Sequence, residues 1–95
     1  MMRFVWDEKK SRRNRAKHKV SFGTATSVFD DPRAISRREQ AEGEEERWQT
    51  LGLAGGIVVL LVVHIYYEED GEEVIRIIPA RKATPQERRM YEEGF

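Results

Sequence analysis

The 95-residue chain contains no cysteine. That excludes a disulfide framework and any thiolate metal site, and it suits a reducing cytoplasm. It contains only two histidines, His18 and His64. They are too far apart for metal-ligand spacing, so no metal site is expected. No glycine loop for cradling phosphate is present, because Gly55-Gly56 lacks the lysine that would follow. No cofactor is therefore expected. Long apolar runs are missing too. The nearest is Leu51 to Tyr67, which is interrupted by the adjacent Gly55-Gly56 and carries His64. A membrane span needs about 20 apolar residues. The continuous part, Ile57 to Val63, is β-branched and reads as a buried strand, so no membrane contact is expected. The N-terminal MMRFVWDEKKSRR is basic and has no apolar h-region, so no secretory leader is expected.

Net charge is also missing, but charges are not. Charged residues make up 36% of the chain, and they are segregated. Residues 1–20 hold eight Lys/Arg against two acids, and residues 68–73 hold five acids and no base. Both ends are basic and the middle is acidic. Such segregation provides a basic face for a polyanion behind a neutral total. At this length one domain, residues 1–95, is expected.

The chain opens with a strand, Arg3 to Trp6, with Phe4 and Trp6 on one face. Asp7 is a good N-cap for a helix from Glu8 to His18. That helix has Ala16 as its only apolar residue, so it must be held by neighbours or by an anionic partner. Ser21 caps a second helix, Phe22 to Phe29, which Asp30-Asp31-Pro32 stops. Ala34–Ser36 reads as a brief edge strand, and Arg37 to Glu46 as a solvated loop. Three strands joined by tight turns follow: Glu46–Leu53, Ile57–Tyr67 and Glu73–Ile78, an antiparallel meander. Pro79 reads as the strand stop, which leaves Arg81 and Lys82 in a connector. Thr84, Pro85 and Glu87 form a capping box for the last helix. Glu92 and Glu93 have the wrong sign for that helix's C-terminus, which should fray.

The candidates for chemistry are basic and aromatic. Arg76 is a cation inside a strand that otherwise reads as core. Arg81, Lys82, Arg88, Arg89 and Tyr91 follow closely, and His18 ends the basic first helix. Metal-free RNA cleavage needs a base for the 2′-hydroxyl proton, cations for the growing phosphorane charge, and an acid for the leaving 5′-oxygen. Arginine forks suit phosphate, and Tyr or Trp can stack unpaired bases. Each residue also has a plainer reading: a strand cation paired to a carboxylate, a loop cation, a helix-surface tyrosine, a helix-end histidine. His64, in the central strand, reads as a satisfied core histidine, and Trp6 and Trp48 read as core.

Read together, the motifs form a pattern. FVWDEKK (Phe4–Lys10), N-x-x-KH-x-VSF (Asn14–Phe22), VFDDP (Val28–Pro32), EERW (Glu45–Trp48), LGL (Leu51–Leu53) and IRIIPARKATPQERRMYEE (Ile75–Glu93) stand in order almost end to end. The chain thereby resembles the BrnT family of type II toxins. The resemblance implies an α+β, RelE-like fold: a small curved antiparallel sheet, two N-terminal helices and one C-terminal helix, in the order β-α-α-β-β-β-β-α. It implies a cytoplasmic, metal-independent endoribonuclease that inhibits translation. It implies a BrnA-like antitoxin that forms a heterotetramer through an antitoxin dimer and alone contacts operator DNA. The catalytic candidates it marks are His18, Arg76, Arg81 and Tyr91. Lys17, Lys82, Arg12 and Arg88 are the expected RNA-backbone contacts. The chain departs from the family pattern at Pro79, where serine is expected, in the charged stretch after Pro32, and at His64. The rival reading is a non-catalytic nucleic-acid-binding or partner-docking subunit of a repressing complex.

Overall fold

The computed structural model describes residues 2–39 and 46–94. Strand β1 (Met2–Val5) leads into helix α1 (Glu8–His18) and helix α2 (Phe22–Thr26), which continues as a 3-10 turn over Ser27–Asp30. Strands β2 (Ile35–Arg38), β3 (Arg47–Ala54), β4 (Val58–Glu69) and β5 (Glu72–Lys82) follow, and helix α3 (Pro85–Glu93) ends the chain. The expected element order holds. One five-stranded sheet runs β1-β5-β4-β3-β2. It is not wholly antiparallel, because β1 lies parallel to β5, with Phe4 opposite Ile75 and Val5 opposite Arg76. Local periodicity carries no information about this pairing, since the partners are some seventy residues apart. Among the described residues no helix is long and apolar enough to cross a membrane.

The three helix caps fall where the side chains dictate. Asp7 accepts hydrogen bonds from the amides of Lys9 and Lys10, at 2.8 and 3.1 Å. Ser21 accepts from the amide of Thr24. Thr84 and Glu87 form the reciprocal capping box. The second helix is shorter than its apolar pattern suggests. Thr26 and Ser27 donate their hydroxyls to the carbonyls of Gly23 and Thr24, each at 2.7 Å. Such local bonds compete with helical pairing and tighten the turn. The C-terminus of α3 is closed rather than frayed. Gly94 adopts φ 82° and donates its amide to the carbonyls of Met90 and Tyr91, the left-handed cap that glycine adopts without steric cost.

The sheet buries both faces unequally. Helices α1 and α2 cover one face, where Phe22, Val28, Leu60, Val62, Ile75 and Ile77 form the main core. Gly52 allows the closest approach there: a Cβ at this position would lie 2.5 Å from Val28 Cγ1. On the other face α3 covers one end only, packing Tyr91 and Met90 onto Leu51, Leu61 and Val59. Among the described residues no helix packs on the remainder of that face, from Val63 to Tyr67 on β4 and around Arg76 on β5.

Strand β5 does not stop at Pro79. Val62 pairs with Ala80 and His64 with Ile77, so Ile78 and Pro79 together face the single residue Val63. This is a β-bulge, a position that tolerates a proline lacking a donor. The strand then continues through Arg81, opposite Leu61, and Lys82, opposite Leu60. These two cations are therefore strand residues rather than connector residues. The extra residue also shifts the alternation. Arg76 pairs with Ile65 and Arg81 with Leu61, both on the half-open face. Without the bulge, their odd separation of five would place them on opposite faces.

Candidate active-site groove

Helix α1 is too polar to be held by apolar packing; its buried residues are Ser11 and Asn14. Polar contacts hold it instead. Ser11 Oγ accepts from the amide of Phe22. Asn14 fits against the outer edge of β5 beyond the point where β1 ends. Its side-chain amide donates to the carbonyl of Ala80 at 2.7 Å and accepts from the amide of Ala80 at 3.2 Å, as a neighbouring strand would. It also donates to the carbonyl of Val20 at 2.8 Å. The helix thus runs along β5 as a wall beside the half-open face. Sequence reasoning placed Asn14 in a motif without assigning it a role. The available signal was an asparagine in the middle of a helix, a residue that earns no helix propensity.

This docking brings His18 to Arg81. The two line one cleft of about 250 Å³ with Leu61, Val63, Pro79 and Ala80. His18 is half-buried and ends α1. Arg81 is held by a two-pronged pair with Glu87, at 2.7 and 3.0 Å. The Arg81 guanidinium, with the Thr84 amide, holds the Glu87 carboxyl below its usual range. The pair is 39% exposed on the arginine side and 15% on the glutamate side. The arginine fork is therefore oriented while part of it still faces the cleft.

Arg76 is exposed and lines a different cleft, with Asp7, Lys10, Arg47, Ile65 and Ile78. The structure places it beside neither His18 nor Arg81. Tyr91 lines neither cleft. Its hydroxyl donates to Asp31 Oδ2 at 2.5 Å, and this bond raises the phenol's pKa above its ordinary value. Burial pushes the Asp31 carboxyl up, but its bonds from Tyr91 and from the Leu53 and Arg33 amides outweigh this and hold it low. Asp31 thereby fastens α3 and β3 to the loop after α2. A phenol made less acidic and already engaged is a poor proton carrier near neutral pH. Arg12, Lys17, Lys82 and Arg88 are exposed and form no ion pair among the described residues.

His64 is core, as its position in the strand indicates. Nε2 pairs with Thr50 Oγ1 at 2.9 Å, and the ring sits edge-on to Phe29. Burial lowers its pKa from 6.5 to about 4. Above pH 6.5 the ring is neutral in folded and unfolded chains alike, and the shift has no effect. As pH falls from 6.5 to 4 the unfolded chain takes up the proton first, so stability is lost across that window. At 1.36 kcal/mol per unit the loss approaches roughly 3 kcal/mol. A His64→Gln variant should lose less stability than wild type between pH 6.5 and 4 in urea titrations. Parallel curves for the two proteins would refute the assignment.

A family model described as "Ribonuclease toxin, BrnT, of type II toxin-antitoxin system" matches residues 6–87. The chain belongs to the BrnT family of ribonuclease toxins. The BrnT fold is also seen in a solved relative, the Brucella abortus ribonuclease toxin BrnT, known from a 1.1 Å crystal structure. That protein is 21% identical, superposes with a TM-score of 0.60, and aligns over 88% of this chain and 99% of its own. No curated protein matches the chain significantly. BrnT proteins act in type II toxin–antitoxin systems, so membership carries an antitoxin partner with it. The family match runs from Trp6, just after β1, through the capping box of α3, and includes His18, Arg76 and Arg81.

Proposed function

We propose that the chain is a metal-independent endoribonuclease of RelE-like architecture that cuts RNA in the cleft between His18 and Arg81. The observation that carries this reading is the convergence of an imidazole and an oriented arginine fork in one cleft, from opposite ends of the chain. The ribose 2′-oxygen attacks the adjacent phosphorus. The bond from 2′-oxygen to phosphorus forms and the bond from phosphorus to 5′-oxygen breaks, leaving a cyclic phosphate. His18 takes the 2′-hydroxyl proton or delivers one to the leaving oxygen, and solvent in the open cleft handles the other transfer. Arg81 bears the charge that grows on the phosphate. The exposed cations Arg12, Lys17, Lys82 and Arg88 draw the polyanion in. In the cytoplasm the reaction stops translation, and a BrnA-like antitoxin, assembled as a heterotetramer on its own dimer, restrains it and binds the operator.

The test is direct. Purified chain is incubated with RNA in excess chelator, and products are read for cyclic phosphate ends. Cleavage that persists in chelator and falls about 100-fold in His18→Ala is expected, within the range for a positioned acid or base. RNA that is bound but left intact would overturn the nuclease reading.

A further inference from the structure

The half-open sheet face carries more cations than one scissile phosphate requires. Arg47 on β3 and Arg76 on β5 both pair with Ile65, so they stand on the same face with one strand between them. With Lys10 of α1 they line a cleft of about 280 Å³ whose floor includes Ile65. Asp7 lines the same cleft, and Glu39 lies against Arg47. Asp7 caps α1 through two backbone amides. Glu39 lies 3.3 Å from Arg47 Nε and also accepts from Gln49. Arg76 and Lys10 have no ion-pair partner among the described residues, and Arg47 is paired with Glu39 through Nε. Three arginine and lysine heads around one depression, two of them free of ion pairs among the described residues and the third paired through Nε alone in the contact described, form a phosphate site.

Its position relative to the first cleft can be measured along two elements. Lys10 and His18 are eight residues apart on α1, which is about 12 Å at 1.5 Å per residue. Arg76 and Arg81 are five apart on β5, which is roughly 16 Å at about 3.3 Å per residue and less across the bulge. The two clefts meet at Ile78 and Pro79, with α1 as a common wall and Val63 and Ile65 of β4 continuing the floor. Arg76 also borders a third depression that holds Tyr67 and Arg3. Arg3 is neutralised there by Glu69 and Glu72, and the Tyr67 ring remains as a surface for a base.

We infer that Arg47, Arg76 and Lys10 form a second phosphate subsite, which grips the backbone of single-stranded RNA a few nucleotides from the bond cut beside Arg81. Arg76 is then a grip on the substrate, and Arg81 the arginine at the reacting phosphate. The inference rests on the proposed RNA cleavage for its biological meaning, but its test does not.

The probe is a 2′-O-methyl RNA strand of about ten nucleotides, which occupies such a groove and cannot be cut. Binding by Arg47→Gln should be about tenfold weaker than by wild type. The slope of log affinity against log salt should shrink by about 0.7, the value for one lost phosphate contact on a single strand. Lys10→Gln, on an exposed helix position that does not bear on folding, should show the same reduced slope. On cleavable RNA both variants should act through KM rather than kcat, and the advantage of a long strand over a dinucleotide should shrink. Unchanged binding and salt slope in both variants would overturn the subsite. Wild type that binds the strand but cuts no RNA would overturn the nuclease reading while the subsite stands or falls on the binding data.

Discussion

Asn14→Leu should cost this protein about 4 kcal/mol and lower its melting temperature by roughly 20 °C. Leucine keeps asparagine's branched outline and removes every polar side-chain atom. Three bonds disappear at once: two donated to the carbonyls of Ala80 and Val20, and one accepted from the amide of Ala80. Each buried backbone group left without a partner costs about 1–3 kcal/mol, less where water can reach it. Set against a total of about 5–15 kcal/mol for a small domain, this is a large fraction. The shift in melting temperature follows from about 4–8 °C per kcal/mol at this size. Asn14→Asp should be harmed as well, because a carboxylate can accept from Ala80 but cannot donate to either carbonyl. The effect extends beyond stability. The same bonds seat the C-terminal half of α1, so His18 should lose its position beside Arg81, and activity should fall even at temperatures where the variant is folded. A melting temperature within a few degrees of wild type would show that α1 is held by something else.

Arg81→Met should reduce RNA cleavage by on the order of 10²–10³, the usual effect of removing one preorganised donor to the transition-state charge. Methionine keeps much of the side-chain length and apolar stem, and it removes the fork. The variant also leaves Glu87 without its two-pronged partner, which calls for a folding control. Glu87 still accepts from the Thr84 amide in the capping box, so α3 should keep its start. Arg81→Lys discriminates further. It keeps the charge but offers a point instead of a planar fork, and should recover only part of the activity. The measurement is the single-turnover rate on a defined RNA, alongside urea midpoints for each variant. A folded Arg81→Met protein that cuts within about threefold of wild type would remove Arg81 from the chemistry.

Much of the fold is legible in the residues because its signals are local. Asp7, Ser21 and Thr84 each satisfy amides within three positions, so the starts of all three helices can be read directly. The meander is legible for the same reason, through alternation and two glycine-bearing turns. What escapes notice depends on partners distant in sequence or on a change of phase. The parallel pairing of β1 with β5 has no local signature. The bulge at Ile78-Pro79 reads as a stop, since a proline ends most strands, and only the pairing with β4 shows that the strand resumes. Tyr91 illustrates the limit for the site. A tyrosine on a helix beside basic residues looks available, and its commitment to Asp31 lies sixty positions away. Arg47 escaped for the opposite reason. It stands next to acids in sequence, and only the sheet places it beside Arg76.

The bulge and the asparagine clamp have one more consequence, for the behaviour of the protein in a crowded cell. Beyond Arg76, the outer side of β5 would otherwise offer a row of unpaired amides and carbonyls to any passing strand, the usual seed of edge-to-edge association. The bulge at Ile78-Pro79 breaks the regular ladder there, and Asn14 already engages both polar groups of Ala80. At the opposite margin of the sheet, β2 carries the exposed charges Arg37 and Arg38, which make a neighbouring copy unwelcome. The features that bring His18 to Arg81 therefore also keep the sheet from growing by addition of its own kind.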